Sequence, residues 1–174
     1  ITGIEATYTY TGKTISPRPA LTYNGMTLVE GTDYSIAYKN NKAIGTASIV
    51  VTGMGNYAGT ATKTFTIAKK NTLNAKAKKA VKLKASALAK KAQKVSVTKL
   101  MTVTKAVGKV TYACLIVSGK KNARYFAVAK SNGLVTVKKG TPKGTYKITI
   151  QVKAAGGKGY AAGTKNVTVQ IKVK

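Results

Sequence analysis

Apolar and polar residues alternate with a period of two along much of this 174-residue chain. Residues 146–152 and 167–173 place Tyr, Val or Ile at every second position and Lys, Thr or Gln between them. Successive side chains of a β-strand point to opposite faces, so this pattern predicts strands with one buried side and one solvent-facing side. Shorter runs of the same kind, separated by turn residues, occur at 34–38, 46–51, 62–67 and 133–137. Short strands at this spacing predict an all-β sandwich.

Gly, Asn and Tyr residues mark several turns between these runs. Residues 24–25, Asn-Gly, predict a tight hairpin between two strand-like pieces. In the next turn, Gly31 is expected to take a positive φ, and Asp33 to accept a hydrogen bond from the backbone two residues on. Tyr57 and Tyr160 each stand close to Gly. Each is expected to donate its hydroxyl to a backbone carbonyl, as in a tyrosine corner.

The charge of the chain changes sharply near residue 68. The chain contains 31 Lys and Arg residues against 3 Asp and Glu residues. All three acids, Glu5, Glu30 and Asp33, lie in residues 1–68 with five bases, whereas residues 69–174 hold the other 26 bases and no acid. This break predicts two modules with these bounds, of which the second meets an anionic partner or tolerates strong self-repulsion. No run of 18 apolar residues is present, so no membrane insertion is expected.

An internal repeat supports the division into two modules. Residues 45–60 combine a strand with the segment Gly-Asn-Tyr-Ala-Gly-Thr, and residues 144–164 combine a strand with Gly-Tyr-Ala-Ala-Gly-Thr. An alternating strand follows each segment. Two modules with a common ending predict a tandem array, with residues 68–71 as a joint too short to act as a long tether.

Two segments allow more than one interpretation. Residues 72–94 are rich in Ala and Lys, which suits a helix, but their apolar residues recur at every second position. We therefore predict strand and loop there rather than helix. The single cysteine, Cys114, lies in the apolar run 110–117 and is expected to be a small buried side chain.

The residue types that catalysis needs are scarce. The chain has no His and only three carboxylates, so general acid–base catalysis and two-carboxylate sugar hydrolysis are not expected. Zinc is excluded because one thiolate without His cannot complete a tetrahedral site, and calcium needs clustered carboxylates. A Lys–Asn isopeptide cross-link needs a neighbouring acid, which residues 69–174 lack. We expect no catalytic residue, no metal, no cofactor and no enzyme activity.

Five blocks of the first module occur together in one known family. They are residues 10–13, 28–34, 38–41, 43–47 and 53–60. Through them, residues 4–67 resemble the Ig-like repeats of bacterial cell-surface and cell-wall adhesion proteins, especially those of Gram-positive organisms. Residues 71–174 are similar, more loosely, to the Lys-rich Ig-like module that ends such proteins, through residues 108–112, 131–137 and 144–146.

The resemblance implies two tandem Ig-like antiparallel β-sandwich domains. It also implies a non-catalytic segment at or near the C-terminus of a larger secreted protein, located outside the cell at a bacterial surface or wall. The start at Ile1, without Met, is the start expected of such a fragment. Upstream domains of the same chain are then expected partners.

Lysine supplies almost all of the positive charge, since Arg18 and Arg124 are the only arginines. Point charges on flexible stems suit salt-sensitive attraction to polyanions better than sequence-specific nucleic-acid recognition. The leading hypothesis is a spacer followed by a module that attaches to an anionic polymer, either an anionic polysaccharide such as a host glycan or cell-wall teichoic acid. An inert stalk whose lysines serve solubility stays open, and non-specific nucleic-acid binding is disfavoured. The candidate polyanion-binding residues are Lys120, Lys121, Arg124, Lys138, Lys139 and Lys143.

Overall fold

A computed structural model describes residues 1–174, apart from the side chains of Lys120 and Lys121. The chain divides into two compact units. Unit 1 contains Ile1–Lys70 and Lys158–Ala161, and unit 2 contains Asn71–Gly157 and Ala162–Lys174. Both units are built from short strands and turns. The prediction of an all-β fold is therefore confirmed.

Unit 1 is organised around one four-stranded sheet. The strands of the unit are β1 (Thr7–Thr9), β2 (Thr22–Tyr23), β3 (Met26–Thr27), β4 (Tyr34–Lys39), β5 (Gly45–Gly53) and β6 (Thr60–Ala68). The sheet has the order β1-β6-β5-β4; β1 pairs with β6 in parallel, and the other two pairs are antiparallel. The strands β2 and β3 form a separate hairpin. Its turn residues Asn24 and Gly25 have φ values of 47° and 80°, as the predicted tight hairpin requires.

The core of unit 1 lies on one face of this sheet. Alternate residues of β5 and β6 point inward, and Ile49, Phe65 and Ile67 are almost fully buried. Leu21, at the start of the hairpin segment, joins them, and Ile15 and Leu28 pack against the cluster. The layer that covers the sheet is therefore made largely of irregular chain and the short hairpin.

Unit 2 contains nine strands, two short α-helices and a 3₁₀-helix at Lys120–Tyr125. The strands are β7 (Asn74–Ala77), β8 (Val81–Leu83), β9 (Gln93–Val95), β10 (Met101–Thr104), β11 (Val110–Val117), β12 (Phe126–Val128), β13 (Val135–Val137), β14 (Gly144–Ala154) and β15 (Gly163–Val173). The helices are α1 (Ala85–Lys90) and α2 (Val97–Leu100). No helix in the described part of the chain has the length and apolar character needed to span a bilayer.

Three sheets build unit 2. The largest has the order β11-β14-β15-β8, in which the β15–β8 pair is parallel and the others are antiparallel. A three-stranded sheet, β12-β13-β9, and a two-stranded sheet, β10-β7, supply the other strands. Alternate residues of β14 and β15, among them Ile148, Ile150 and Ile171, are fully buried in one core with Val135, Val137 and Leu88. The predicted alternation of buried and solvent-facing residues in 146–152 and 167–173 is therefore confirmed, with the polar residues on the outward face.

The segment 72–94 is mixed rather than purely strand and loop. Strands β7 and β8 follow the predicted period of two, but Ala85–Lys90 form the helix α1. Its sequence, ASALAK, is rich in helix formers, and its single Leu, Leu88, is fully buried. One apolar side chain is enough to anchor a helix of this length, so the helix leaves no periodic pattern in the sequence.

The prediction that Cys114 is buried is wrong, because the residue is exposed. It lies on β11, which is an edge strand. Cys114 pairs with Ile150 and Ile116 with Thr149, so two steps on β11 match one step on β14. Such a bulge breaks the alternation of faces. Leu115 and Ile116 are exposed with the cysteine, at 46% and 64%.

The hydroxyl-to-carbonyl bonds form at tyrosines other than those predicted. Tyr38 donates to the Pro17 carbonyl over 2.9 Å, and Tyr146 donates to the Pro142 carbonyl over 2.8 Å. Neither Tyr57 nor Tyr160 donates its hydroxyl to a described carbonyl; Tyr160 instead lies with its ring 5.8 Å from Lys69 Nζ.

The turn around Asp33 also differs in one bond from the prediction. Gly31 has the predicted positive φ, 87°. The Asp33 carboxylate, however, accepts a hydrogen bond from the Val29 backbone N–H, four residues earlier, over 2.8 Å. The turn closes back on the preceding segment because the Asp33 N–H donates to the Val29 carbonyl as well.

Candidate polyanion-binding surface

Three of the six candidate residues lie at one place in unit 2. Arg124 belongs to the 3₁₀-helix, and Lys138 and Lys139 follow β13 directly. The Lys138 N–H donates to the Tyr125 carbonyl over 2.8 Å, which joins the two segments. The Arg124 guanidinium lies 4.8 Å from the Tyr125 ring centroid and donates to Tyr125 Oη over 2.9 Å. The side chains of Lys120 and Lys121 lie outside the described residues.

A second group of lysines lies where β14 begins and β15 ends. Lys172 of β15 is the Cα partner of Lys82 on the parallel strand β8. The ladder between β14 and β15 ends at the pair Gly144–Val173, so the next residues, Lys143 and Lys174, leave the sheet at the same place. Lys84 follows β8 directly, and the Leu83 carbonyl accepts from the Lys174 N–H over 3.0 Å.

Helix α1 connects these two groups. At its start, the Ala85 N–H donates to the Lys174 carbonyl over 2.7 Å. Farther along, the Leu88 carbonyl accepts from the Gly140 N–H over 3.0 Å, which holds the loop after β13. The backbone of α1 therefore joins the two groups at one end of unit 2, and we call them together the basic end of unit 2. Its residues are Lys82, Lys84, Arg124, Lys138, Lys139, Lys143, Lys172 and Lys174.

No acidic side chain neutralises the basic end. Unit 2 carries 23 of the 31 Lys and Arg residues, the others being the five in residues 1–68, Lys69, Lys70 and Lys158, and it has no Asp or Glu. The ion pair that the described residues form, Arg18 with Glu30 at 3.2 Å, belongs to unit 1. Lys82 and Lys172 are like charges directly opposite each other across two strands, an arrangement that destabilises a sheet. An external anion placed between them would remove that cost.

Lys82, Lys84, Lys172 and Lys174 of the basic end are not among the candidates chosen from the sequence. The alternating pattern did place Lys172 on a solvent-facing position of its strand. It could not reveal that β8 pairs with β15, because these strands are about 90 residues apart in the sequence. The adjacency of the lysines depends on that pairing.

The described residues give little support for a metal site or a catalytic cysteine. No group of three or more His, Cys, Asp or Glu side chains there is placed to hold a metal ion. Partial desolvation raises the pKa of the Cys114 thiol, although the residue is exposed to reagents in solution. A raised pKa leaves less thiolate at neutral pH, so Cys114 lacks the activation of a catalytic cysteine.

No protein-family model matches the sequence, and no curated protein matches it. Several solved structures do. Human mucin-like protocadherin EC1-2 is 8% identical, with a TM-score of 0.46, over 83% of this chain and 79% of that chain. Human protocadherin-24 EC1-2 is 12% identical, with a TM-score of 0.45, over 83% of each chain. Protocadherin gamma B2 extracellular cadherin domains 3-6 are 12% identical, with a TM-score of 0.46, over 84% of this chain and 40% of that chain.

This chain thus spans less than half of the length of the protocadherin gamma B2 structure. With TM-scores below 0.5, these likenesses carry no functional argument. The resemblance to bacterial surface repeats stays an expectation from the sequence.

Proposed function

We propose that this chain is a non-catalytic segment of an extracellular surface protein, in which unit 2 attaches to anionic polymers through its basic end. The observation that carries the proposal is the placement of lysines on neighbouring strands without a single carboxylate in the unit. Lys82 and Lys172 repel each other in the free protein, and a bound sulfate or phosphate group relieves that repulsion. Teichoic acid and sulfated glycans both supply such groups in a regular array.

Binding of this kind has a defined salt dependence. Each anionic group that a lysine neutralises releases condensed counterions, so affinity falls steeply with salt concentration. Because lysine ammonium groups are point charges without a fixed fork geometry, they discriminate poorly among polyanions of similar charge density. The proposal therefore expects similar affinity for heparin, teichoic acid and duplex DNA at equal charge density. A nucleic-acid-binding protein would instead prefer DNA with a particular sequence or shape.

The experiment compares two quadruple variants of the full chain on a heparin column and in titrations with teichoic acid. One variant changes Lys82, Lys138, Lys139 and Lys172 to Gln. The control changes Lys76, Lys94, Lys130 and Lys153 to Gln; all four are exposed lysines of unit 2 outside the basic end. Both variants lose the same net charge, so an inert stalk that is merely basic predicts the same shift for both.

The proposal expects the basic-end variant to elute at clearly lower salt than the control variant. The slope of log affinity against log salt should also fall more for the basic-end variant, by up to about 0.7 to 0.9 for each phosphate group that is no longer neutralised. Equal elution and equal slopes for the two variants would leave only non-local charge attraction and would contradict a localised site.

A further inference from the structure

Unit 1 contains a partly open cleft of about 430 Å³ between the β2–β3 hairpin and the loop that joins β5 to β6. Its walls are fixed by backbone hydrogen bonds. The Leu28 N–H donates to the Leu21 carbonyl over 3.0 Å, which closes the hairpin segment. On the other side, the Met54 N–H donates to the Asp33 carbonyl over 2.8 Å. A cleft of this volume suits a small organic ligand.

Two tyrosine side chains form an aromatic corner of this cleft. The rings of Tyr23 and Tyr57 lie 5.8 Å apart between centroids and are inclined at 80°. Tyr23 nevertheless remains 56% exposed, and three more apolar side chains on the same two segments, Met26, Val29 and Met54, are exposed as well. Clustered exposed apolar residues mark an interaction surface rather than a core.

Asp33 is the only charged side chain among the residues that line the cleft. Its Oδ2 atom accepts from the Val29 N–H, whereas Oδ1 accepts no hydrogen bond from the described residues. Among the described residues, no Lys or Arg side chain lines this cleft, although the N-terminal residue Ile1 does. Asp33 Oδ1 is therefore available to accept a hydrogen bond from a ligand, and the cleft lacks the lysines that make up the basic end.

The remaining lining residues narrow the class of ligand. Thr22, Asn56 and Thr60 add hydroxyl and amide groups, which a simple ammonium ion would not use. Leu21 and Val51 form an apolar floor, and both are more than 90% buried. A ligand that matches all of these features has several hydroxyls, an apolar face for the tyrosine corner, a small apolar group for the floor and an N–H group for Asp33.

We propose that this cleft binds a neutral pyranose that carries an acetamido group. The C–H face of the sugar ring packs on the Tyr23 side chain, the acetamido methyl group contacts the floor, and the acetamido N–H donates to Asp33 Oδ1. Thr22, Asn56 and Thr60 bond the ring hydroxyls. Unit 1 is then a glycan-binding module in its own right, and its ligand is uncharged, in contrast to the polymer proposed for unit 2.

The test titrates the full ¹⁵N-labelled chain with two neutral probes, the β-1,4-linked tetramer of N-acetylglucosamine and the β-1,4-linked tetramer of glucose. The acetylated tetramer should shift the amide resonances of residues 21–34 and 51–60, and its affinity should not change with salt. The glucose tetramer should bind about tenfold more weakly, because it lacks the acetamido group. Equal binding of both tetramers, or no shift in these segments, overturns the proposal.

Variants identify the side chains that carry the binding. Tyr23→Ala should weaken the affinity about tenfold, because the sugar no longer has an aromatic ring to pack on, while Tyr23→Phe should retain it. Tyr10→Ala is the matched control, since Tyr10 is a partly exposed tyrosine of unit 1 outside the cleft. Equal effects of Tyr23→Ala and Tyr10→Ala contradict the site.

Asp33→Asn keeps an oxygen for the Val29 N–H but removes the charge, and should weaken binding of the acetylated tetramer without unfolding the turn. Displacement of that tetramer by an equal or lower concentration of tetramethylammonium would identify a cation site and overturn the assignment to a sugar. The lysine variants of unit 2 should leave this titration unchanged. The cleft is therefore tested independently of the polyanion site.

Discussion

The repulsion between Lys82 and Lys172 gives a stability prediction that can be worked out from the strand pairing. The two residues are partners on the adjacent parallel strands β8 and β15. Backbones of adjacent strands lie about 4.8 Å apart, and long side chains spread their ammonium groups to about 7 Å, at which distance two charges in bulk water repel by about 0.6 kcal/mol. Lys84 and Lys174 add smaller repulsive contributions to the energy of Lys82. Substituting Lys82→Gln should therefore stabilise unit 2 by about 0.5 to 1 kcal/mol at low salt.

The matched control is Lys94→Gln. Lys94 is also an exposed strand residue of unit 2, but its ladder partner is Thr136. Lys94 is repelled by the positive charge of the whole unit but has no lysine as its ladder partner. The Lys94→Gln substitution should therefore stabilise the unit less than Lys82→Gln does. At about 1 M salt the Debye length falls to roughly 3 Å, and the gain from Lys82→Gln should disappear.

The assay is urea unfolding, because urea does not change the ionic strength. Hydrogen exchange of residues 144–154 and 163–173, in β14 and β15, reports on unit 2 separately from unit 1. A loss of stability for Lys82→Gln at low salt, or a gain no larger than that of Lys94→Gln, would refute the reasoning. Added heparin should stabilise the wild-type chain more than the Lys82→Gln variant, because the bound anion removes the same repulsion.

Three further predictions concern the fold of unit 2. Gly108→Ala should destabilise the unit by at least about 2 kcal/mol in urea unfolding, because its Cβ would overlap the Gly156 carbonyl oxygen at a φ of 86°. Gly140→Ala, with a φ of 77° and nothing within 4 Å, should cost less, and equal costs would contradict the steric argument. Tyr146→Phe should cost about 1 kcal/mol at neutral pH, because the hydroxyl bond to a backbone carbonyl is removed. Burial raises the pKa of Tyr146, so this contribution is complete below the unfolded pKa of about 10 and is lost as pH rises through the higher folded pKa. A difference between wild type and Tyr146→Phe that stays constant well above that pH would contradict the assignment. Cys114 should react fully with a maleimide or disulfide reagent in the folded protein, and labelling that requires denaturant would show that the residue is buried after all.

The positions of the long strands followed from the sequence because a strand pattern is local. Residues 146–152 and 167–173 lie within β14 and β15, and their apolar positions are the buried ones. The predicted hairpin at 24–25 also formed, since the Asn-Gly turn depends only on neighbouring residues. Helix α1 was not predicted, because a six-residue helix anchored by one buried Leu has too few turns to show a helical period in the sequence.

The exposure of Cys114 could not be predicted in the same way. Its apolar surroundings in the sequence suit a buried strand, but β11 lies at an edge of its sheet and contains a bulge. Whether a strand is central or at an edge is decided by residues far away in the sequence. The choice of tyrosines that donate to backbone carbonyls was not predictable for a similar reason. The carbonyl that accepts from Tyr38 belongs to Pro17, 21 residues earlier in the sequence.

The sequence by itself determined that unit 2 is a strongly basic β-structure whose charges stay in water. Alternation places lysines such as Lys147 and Lys172 on the solvent-facing side of a strand, and no acid is available to pair with them. Only the tertiary structure decided which of these lysines become neighbours. Lys82 and Lys172 meet because β8 joins β15 in parallel, and the loop after β13 is held at the same end through α1. Charge and period are local properties, whereas adjacency depends on strand pairing across the whole unit.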